Sequence, residues 1–294
     1  MQGVHTLLLL TLGLPIFLHY VLIFADYRKH AEGQALKLRQ RRSLPNPPIP
    51  DEFYDRVFWF MQVSDIHISK FSDAERSADL FKLCSDYVPI ILPDIVIVSG
   101  DITDAKLQNR AGSMQFSEEW TVYKDVIKRS GVLNYTKWLD MRGNHDAFNV
   151  PSPEHAENYY RHYSVQGRNF PQSYMINHRK PYGTYTFVGL DACPSPGSKR
   201  PLNFFGVINT DLAQMLEVFS SKASASNQTF WFGHYPTSTI ISPGFDLRGL
   251  MSKTTFAYFC GHLHTLMKTA PNMYAIQPEG FFELELADWR DSRL

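Results

Sequence analysis

The sequence predicts an α/β fold with mixed sheets (an α+β arrangement), preceded by an N-terminal hydrophobic helix. From about residue 51 to residue 163, short apolar runs of strand type alternate with stretches whose apolar residues recur at helical spacing. Beyond that point, predicted strands follow one another with few helices between them. Alternation followed by consecutive strands is typical of mixed sheets with helices on their outer faces.

Strands and helices alternate in the first half of the globular part. The Ser-Asp-Ala-Glu sequence at residues 72–75 is a helix-capping pattern, and it precedes apolar residues at helical spacing. Short apolar runs rich in β-branched and aromatic residues indicate buried strands. The predicted strands are 57–63, 94–99 and 137–141, and the predicted helices are 72–92, 116–128 and 153–163.

The second half is predicted to be richer in strands. Residues 172–177 and 182–191 are expected to be neighbours, because a Lys-Pro-Tyr-Gly turn sequence connects them. One further helix and three further strands are predicted. The helix is 210–221, and the strands are 229–232, 255–260 and 281–286.

Residues 1–25 are predicted to be a membrane anchor or an uncleaved signal. They contain no Lys, Arg, Asp or Glu, and about 20 apolar residues suffice to cross a bilayer. A cleaved signal peptide is disfavoured because no basic side chain precedes the run and no small-residue cleavage site follows it. Residues 26–50 are basic and then proline-rich, which predicts a linker. The globular domain is therefore expected at 51–294, shortened at its C-terminal end.

The predicted location is a membrane with a single N-terminal span, and two orientations stay open. Six basic and two acidic residues between positions 26 and 43 favour a cytosolic domain by the positive-inside rule. The glycosylation patterns beginning at Asn134 and Asn227 favour a lumenal domain instead. The sequence does not determine which side holds the domain, nor the oligomeric state.

Composition argues against several classes of protein. The net charge of zero and the +4 excess at residues 26–43 leave −4 for the rest, so no nucleic acid partner is expected. The three cysteines are far apart and no Cys-x-x-Cys pattern is present, which argues against a zinc ribbon or a disulfide framework. With 44% hydrophobic residues, the chain can form one large domain or two small ones.

Five short motifs carry the residue types that bind metal ions. Most of them follow an apolar run that indicates a buried strand. A lone Asp-x-His is usually a solvated loop, but the ordered set is hard to obtain by chance. The motifs are Asp65-Ile66-His67, Gly100-Asp101-Ile102-Thr103-Asp104, Gly143-Asn144-His145-Asp146, Gly233-His234 and Gly261-His262-Leu263-His264.

Spacing within the motifs indicates convergence on metal ions. Asp65 and His67 are two residues apart, so in extended backbone both side chains point to the same side, and the pair His262 and His264 follows the same logic. Asp101 follows a strand and a glycine, and its carboxylate could bridge two ions. The seven predicted ligands are Asp65, His67, Asp101, Asn144, His234, His262 and His264.

Such a set can hold two divalent metal ions, which together clamp a phosphate. The mixture of nitrogen and oxygen donors suits Mn, Fe, Zn or Co better than Ca or Mg. His145 is the predicted catalytic residue that assists the leaving group, and Asp146 is predicted to orient its imidazole. Asp104 is expected to hold the loop by hydrogen bonds rather than to bind metal.

The ordered motifs resemble those of the calcineurin-like metallophosphoesterases over about residues 58–264. The resemblance implies a four-layer α/β/β/α sandwich with a dinuclear site at the strand ends. It implies one ion on Asp65, His67, Asp101 and His264, and a second on Asp101, Asn144, His234 and His262. It also matches His145 to the family's catalytic histidine. Further stretches, such as the sequence RPLNFFG at 200–206, look like one membrane-bound branch of that family.

The predicted function is metal-dependent hydrolysis of phosphate mono- or diesters. A metal-bound hydroxide would attack phosphorus while His145 assists the leaving group, and the partners would be a phosphate ester and a membrane. The alternative is a metal-binding, non-catalytic scaffold or trafficking module with the same fold. Intact Asn144 and His145 favour the enzyme.

Overall fold

A computed structural model describes residues 57–264 and 274–289. The predicted anchor at 1–25 and linker at 26–50 lie outside these residues. Within the two described ranges, no helix has the length and apolar character needed to cross a bilayer. The prediction of a mixed α/β fold built on sheets is confirmed.

The first sheet has three parallel strands in the order β1-β2-β3. They are β1 (Phe60–Val63), β2 (Ile95–Ser99) and β3 (Lys137–Met141). Every residue of the central strand β2 is buried, because both faces of the sheet are covered. The first predicted strand starts three residues later than the apolar run indicated, while the third has the predicted bounds.

The second sheet has six strands in the order β10-β11-β9-β7-β5-β4. The edge strands β4 and β10 are antiparallel to their neighbours, and the four inner strands are parallel. In addition, a small two-stranded sheet pairs β6 (Gly206–Val207) with β8 (Ile240–Ile241). The remaining bounds are β4 (Tyr174–Lys180), β5 (Gly183–Leu190), β7 (Gln228–Gly233), β9 (Thr255–Cys260), β10 (Tyr274–Ile276) and β11 (Phe282–Glu285).

Six α-helices are present in the described part of the chain. Two of them start at a residue whose side chain accepts a hydrogen bond from the first turn: Asn209 caps one and Asp246 the other. A π-helical turn at Leu83–Tyr87 joins the first two helices. The helices are α1 (Glu75–Lys82), α2 (Val88–Ile91), α3 (Ser117–Ser130), α4 (Tyr160–Tyr163), α5 (Thr210–Ala223) and α6 (Leu247–Ser252).

The core residues show how the layers are ordered. Ile97 and Leu139 of the first sheet share a cluster with Phe187 and Phe232 of the second, so the two sheets face each other. The outer face of the first sheet packs against α1 and α3. The outer face of the second packs against α5 and α6. The order is therefore helices, sheet, sheet, helices, and burial on both faces fixes the strands that carry the motifs.

The predicted helix at 153–163 is wrong for most of its length, since only Tyr160–Tyr163 is α-helical. In this segment the Asn158 side chain donates a hydrogen bond to the main-chain oxygen of Pro153, at 2.5 Å. Asn often bonds to nearby backbone groups and so competes with helix formation. Helix α6 and the strands β6, β8 and β10 were not predicted.

Candidate metal centre

All the predicted ligands lie at one end of the two facing sheets. Asp65 follows β1, Asp101 follows β2 and Asn144 follows β3 in the first sheet. His234 follows β7, and the pair His262 and His264 follows β9, in the second sheet. Because these strands are parallel within each sheet, their C-terminal ends bring the polar loops together.

The first group of donors is formed by Asp65, His67 and His264. The Nε2 atom of His264 lies 2.8 Å from Oδ1 of Asp65 and 3.4 Å from Nε2 of His67. The His67 Nε2 atom is also 3.8 Å from the same carboxylate oxygen. These three side chains could hold one metal ion.

The second group is formed by Asn144, His234 and His262. The Asn144 Oδ1 atom lies 2.8 Å from Nε2 of His234 and 3.0 Å from Nδ1 of His262. Those two ring nitrogens are themselves 3.1 Å apart. Two imidazole nitrogens and an amide oxygen thus point at one small space.

Asp101 lies between the two groups. Its Oδ2 atom is 3.8 Å from Nε2 of His67 in the first group and 3.3 Å from Nε2 of His234 in the second. The side chain is 2% exposed, so few water molecules can compensate its charge. The carboxylate is placed where two neighbouring cations could share it.

His234 and His262 each direct one ring nitrogen towards the donor group, because the other nitrogen of each ring is bound to a main-chain oxygen. His234 directs Nδ1 at the main-chain oxygen of Ser99, 3.0 Å away, and His262 directs Nε2 at that of Phe204, 2.8 Å away. A ring nitrogen that donates to a carbonyl carries a proton, so in the neutral imidazole the lone pair is on the other nitrogen. The donor set therefore fits divalent cations.

Protonation follows the same distribution of charge. Burial alone would lower the pKa of His234, but the negative charge of Asp101 raises it to about 9. Burial, and then the neighbouring His234, lower the pKa of His262 to about 3. Burial raises the pKa of Asp101, yet the surrounding imidazoles hold it well below its usual range. The buried carboxylates thus attract positive charge to the centre of the site.

The backbone of the predicted ligand pairs differs from the extended geometry that was predicted. Asp65 and His67 have φ values of 52° and 51°, and His262 and His264 have values of 81° and 48°. These residues are left-handed rather than extended, and so is Asp101 at 50°. Non-glycine residues rarely adopt this conformation, which costs energy and concentrates at functional sites. Asp65 and His67 lie in the same donor group, whereas His262 and His264 lie in different groups, and the extended-strand geometry predicted for both pairs is wrong.

Two motif glycines are needed because a carboxylate lies directly against them. A Cβ atom on Gly143 would lie 2.2 Å from Oδ1 of Asp101, and one on Gly261 would lie 2.1 Å from Oδ2 of Asp65. Both distances are far shorter than real Cβ contacts. The glycines of these motifs therefore make room for the carboxylates of Asp101 and Asp65, two of the predicted ligands.

His145 lies beside the donors, with one ring nitrogen fixed and the other facing them. Its Nδ1 atom is 2.6 Å from the main-chain oxygen of Asp104, and its Nε2 atom is 3.8 Å from Oδ2 of Asp101. The ring packs against His67 and Phe148. Burial lowers the pKa of His145, and the charge of Asp101 opposes that shift.

Comparison with known proteins agrees with this geometry. The sequence profile of the family described as Calcineurin-like phosphoesterase matches residues 58–266. The chain belongs to the calcineurin-like phosphoesterase family. It is 44% identical over 262 residues to Transmembrane protein 62 of Mus musculus, which covers 89% of this chain and 40% of that protein. The predicted resemblance to this family, and to Transmembrane protein 62 within it, is confirmed.

A second relative and a solved structure extend the comparison. A protein of Arabidopsis thaliana described as a candidate metallophosphoesterase is 32% identical over 224 residues, which is 71% of this chain and 30% of that protein. The chain thus spans well under half the length of both relatives. The structure titled "GAP50 the anchor in the inner membrane complex of Plasmodium" superimposes with a TM-score of 0.50. It is 11% identical and covers 80% of this chain and 73% of that one, so it shares the fold.

Asp146, the last residue of the Gly-Asn-His-Asp motif, makes different hydrogen bonds from those predicted. The Asp146 carboxylate was expected to orient His145. Instead it accepts hydrogen bonds from the main-chain N–H groups of Ile102, Thr103 and Gly143, at 2.8–3.0 Å, and from the Thr103 hydroxyl. None of its hydrogen bonds within residues 57–264 and 274–289 goes to His145. Asp146 therefore ties two motif loops together, and Asp104 fixes the imidazole.

Burial and its neighbour Asp101 raise the pKa of Asp146 to about 7. The same two loops are thus held by a carboxyl group that is wholly enclosed and 0% exposed. This role is structural, and the i+1 spacing from His145 gave no sign of it. Three of its four donor groups belong to Ile102 and Thr103, which are more than 40 residues away in sequence and meet Asp146 only in the fold.

Sequence reasoning missed three supporting residues. Glu119 of α3 accepts hydrogen bonds from the main-chain N–H groups of Lys70 and Ala105, at 2.9 Å and 3.0 Å, and so joins two motif loops from behind. Burial raises the pKa of Glu119 to about 7. A glutamate in the first turn of a helix looks like an ordinary solvated residue in the sequence.

The other two are Arg76 and Asp288, which form a two-pronged ion pair at 2.6 Å and 2.9 Å. Arg76 also donates to the main-chain oxygen of Ile66 at 3.2 Å. The next residue, Trp289, donates its main-chain N–H to the oxygen of Asp65 at 3.3 Å. A segment beyond residue 266, where the family profile ends, therefore supports the left-handed turn that presents Asp65 and His67.

Proposed function

We propose that the chain is a membrane-associated, metal-dependent hydrolase of phosphate mono- or diesters, built on the family's four-layer α/β/β/α sandwich. The observation that carries this proposal is the position of Asp101. Its Oδ2 atom is within 3.8 Å of an imidazole nitrogen in each of the two donor groups. A carboxylate so placed is what a two-metal site uses to bridge its ions.

The residues that would hold two cations of the Mn, Fe, Zn or Co class fall into two sets that share Asp101. Such a pair of cations, when bound, neutralises charge on the phosphoryl group and activates water at neutral pH. The first set is Asp65, His67, Asp101 and His264, and the second is Asp101, Asn144, His234 and His262.

The proposed role of His145 is to donate a proton to the leaving oxygen as a general acid. Its Nδ1–H group donates to the main-chain oxygen of Asp104, so Nε2 is the atom that faces the site. Donation from Nε2 requires a proton on both ring nitrogens. Turnover should therefore fall as pH rises through the pKa of His145, which burial lowers from its usual value.

Membrane association is proposed on the sequence of residues 1–25 and on the name of the relative Transmembrane protein 62. The run is apolar, uncharged and long enough to cross a bilayer. No partner besides the phosphate ester and the membrane is proposed.

The test is made on the full chain purified in detergent. Metal content is measured by mass spectrometry beside hydrolysis of p-nitrophenyl phosphate and of its bis ester with added Mn. We expect close to two ions per chain, and the Asp101→Asn variant should lose both turnover and metal. The matched control is Asp211→Asn, an exposed aspartate in the first turn of α5.

The outcomes separate the candidates. Bound metal with hydrolysis of neither ester would instead support the alternative, a metal-binding scaffold or trafficking module. A folded chain that binds no metal would overturn the whole proposal. An Asp101→Asn variant that kept full metal and full turnover would remove the bridging role of this residue.

A further inference from the structure

A group of exposed apolar side chains covers the end of the first sheet where its strands begin. The exposed large apolar residues of the described chain that do not belong to this group are spread over several elements. We call this group the strand-start patch. Its members are Val57, Trp59, Tyr87, Ile90, Ile91, Leu92, Leu133 and Tyr135.

The parallel register of the sheet brings these residues together. The Trp59 indole N–H donates to the main-chain oxygen of Ile91 at 2.9 Å. The main-chain N–H of Asp94 donates to the oxygen of Trp59 at 2.9 Å, and that of Lys137 donates to the oxygen of Asp94 at 3.0 Å. The segments before β1, β2 and β3 therefore lie side by side at one end of the sheet.

The members of the patch are large apolar side chains that are open to solvent. Ile90 is 78% exposed, and its seven companions are between 42% and 52% exposed. Contiguous apolar surface of this kind marks an interaction site. Trp59, Tyr87 and Tyr135 supply the amphipathic rings that are enriched where a protein meets the bilayer interface.

We propose that the strand-start patch docks on a lipid bilayer. Val57 is the member of the patch that lies nearest the N-terminus in sequence. Only residues 26–56 separate it from an apolar run that is long enough to cross a membrane. Lys82, whose Nζ lies 5.8 Å from the Tyr87 ring centroid, and exposed Lys137 flank the patch and suit anionic lipid, while exposed Asp86 beside Tyr87 adds one opposing charge.

Docking in this manner decides which way the metal centre faces. The patch precedes β1, β2 and β3, whereas Asp65, Asp101 and Asn144 follow them. Five residues of parallel strand span roughly 17 Å, so the two features lie at opposite ends of the sheet. The centre faces away from the bilayer, and its substrate is a water-soluble phosphate ester rather than the phosphate of a lipid in that bilayer. This last step rests on the proposed function.

The test places an environment-sensitive fluorophore on the full chain in nanodiscs of phosphatidylcholine and phosphatidylserine. Single cysteines are introduced as Ile90→Cys in the patch and as Val218→Cys and Leu202→Cys elsewhere, both exposed apolar positions. The three native cysteines are buried and should resist labelling. We expect nitroxide-labelled lipids to quench most of the fluorescence at position 90 and little at positions 202 and 218.

A second variant checks that the patch causes the contact. In the double variant Ile90→Asp with Leu92→Asp, a label introduced by Tyr135→Cys should lose its quenching by lipid. Metal content and hydrolysis of soluble ester, measured on the same sample, should match the unsubstituted chain. Quenching that persisted in this variant would overturn the proposal.

Other results would overturn it too. A label at position 90 that lipid does not quench excludes docking, and protection of that label that rises with protein concentration would identify a second copy as the occupant. A glycan on Asn134, which is flanked by patch residues, would also exclude contact with lipid. Quenching at position 90 in a chain without hydrolase activity would leave docking in place and remove only the inference about substrate, so the two failures are distinguishable.

Discussion

Replacing Gly261 with alanine tests whether the position of the Asp65 carboxylate controls metal binding. A Cβ atom at this position would lie 2.1 Å from Oδ2 of Asp65 and 2.1 Å from Oγ of Ser64. Since Cβ atoms essentially never come closer than 3.0 Å to such atoms, the carboxylate must move by about 0.9 Å (3.0 minus 2.1). Gly261 does not have a positive φ, so the alanine introduces a collision without backbone strain.

The size of the effect follows from that displacement. Metal–ligand distances tolerate only about 0.2 Å, so a shift of this size removes Asp65 as a ligand in its present geometry. Disturbing the surroundings of a ligand commonly costs about 10–100-fold in metal affinity. Overpacking a tight site also costs about 1–3 kcal/mol of folding stability. We therefore expect weaker metal binding and a modest loss of stability together.

The assay is a metal titration by calorimetry on the full chain, combined with thermal unfolding in the presence of a chelator. The matched control is Gly244→Ala, which has a φ of +71° and nothing within 4 Å of the added Cβ. This control carries backbone strain without a collision, far from the donors in sequence. Unchanged metal affinity in Gly261→Ala would refute the reasoning that Asp65 is a ligand held against this glycine.

Three further predictions address the residues around the donors. His145→Ala should keep its metal yet lose about 10²–10⁴-fold in kcat, and a fall in metal content would make His145 a ligand instead. Burial raises the pKa of Glu119 to about 7, so its stabilising effect is complete below about 4.5 and is lost as pH rises through 7. Chemical unfolding with a chelator present should show a loss that is larger, by up to about 3 kcal/mol, in the unsubstituted chain than in Glu119→Gln, because Asp146, whose pKa is also raised to about 7, titrates in both. Asp288→Asn should lower metal affinity about 10-fold. The control Asp73→Asn changes the other carboxylate bound to Arg76 and should not lower it. Equal effects of the two substitutions would show that the Asp288 segment has no special role.

The sequence predicts the motif strands well because those strands are buried on both faces. The run at 95–99 contains only apolar residues and a serine, and all of it is buried in the sheet. Such runs have few alternatives to a central strand. The segment at 153–163 has no comparable constraint, and there the Asn158 side chain bonds to the backbone in place of a helical turn.

The candidate site is predictable in its membership and less so in its supports. The types, order and spacing of the residues in a motif are local features of the sequence, so they can be read directly. The structure places Asp65, His67 and His264 in one group. Most partners of Asp146 and Glu119 are backbone N–H groups of other loops, and every residue type except proline supplies such a group. A sequence pattern therefore cannot reveal them, and the adjacent position of Asp146 misleadingly pointed to His145.

The supporting residues account for the left-handed backbone of the predicted ligands. A left-handed non-glycine residue costs about 1–3 kcal/mol and persists only when its surroundings hold it in place. Asp146 and Glu119 bind the backbone near Asp101 through hydrogen bonds from main-chain N–H groups to their buried carboxyl groups. Arg76 and the Asp288 segment do the same for the turn of Asp65 and His67. It follows that damage to a support should weaken metal binding before it unfolds the chain, because the ligand turn relaxes while the buried sheets remain intact.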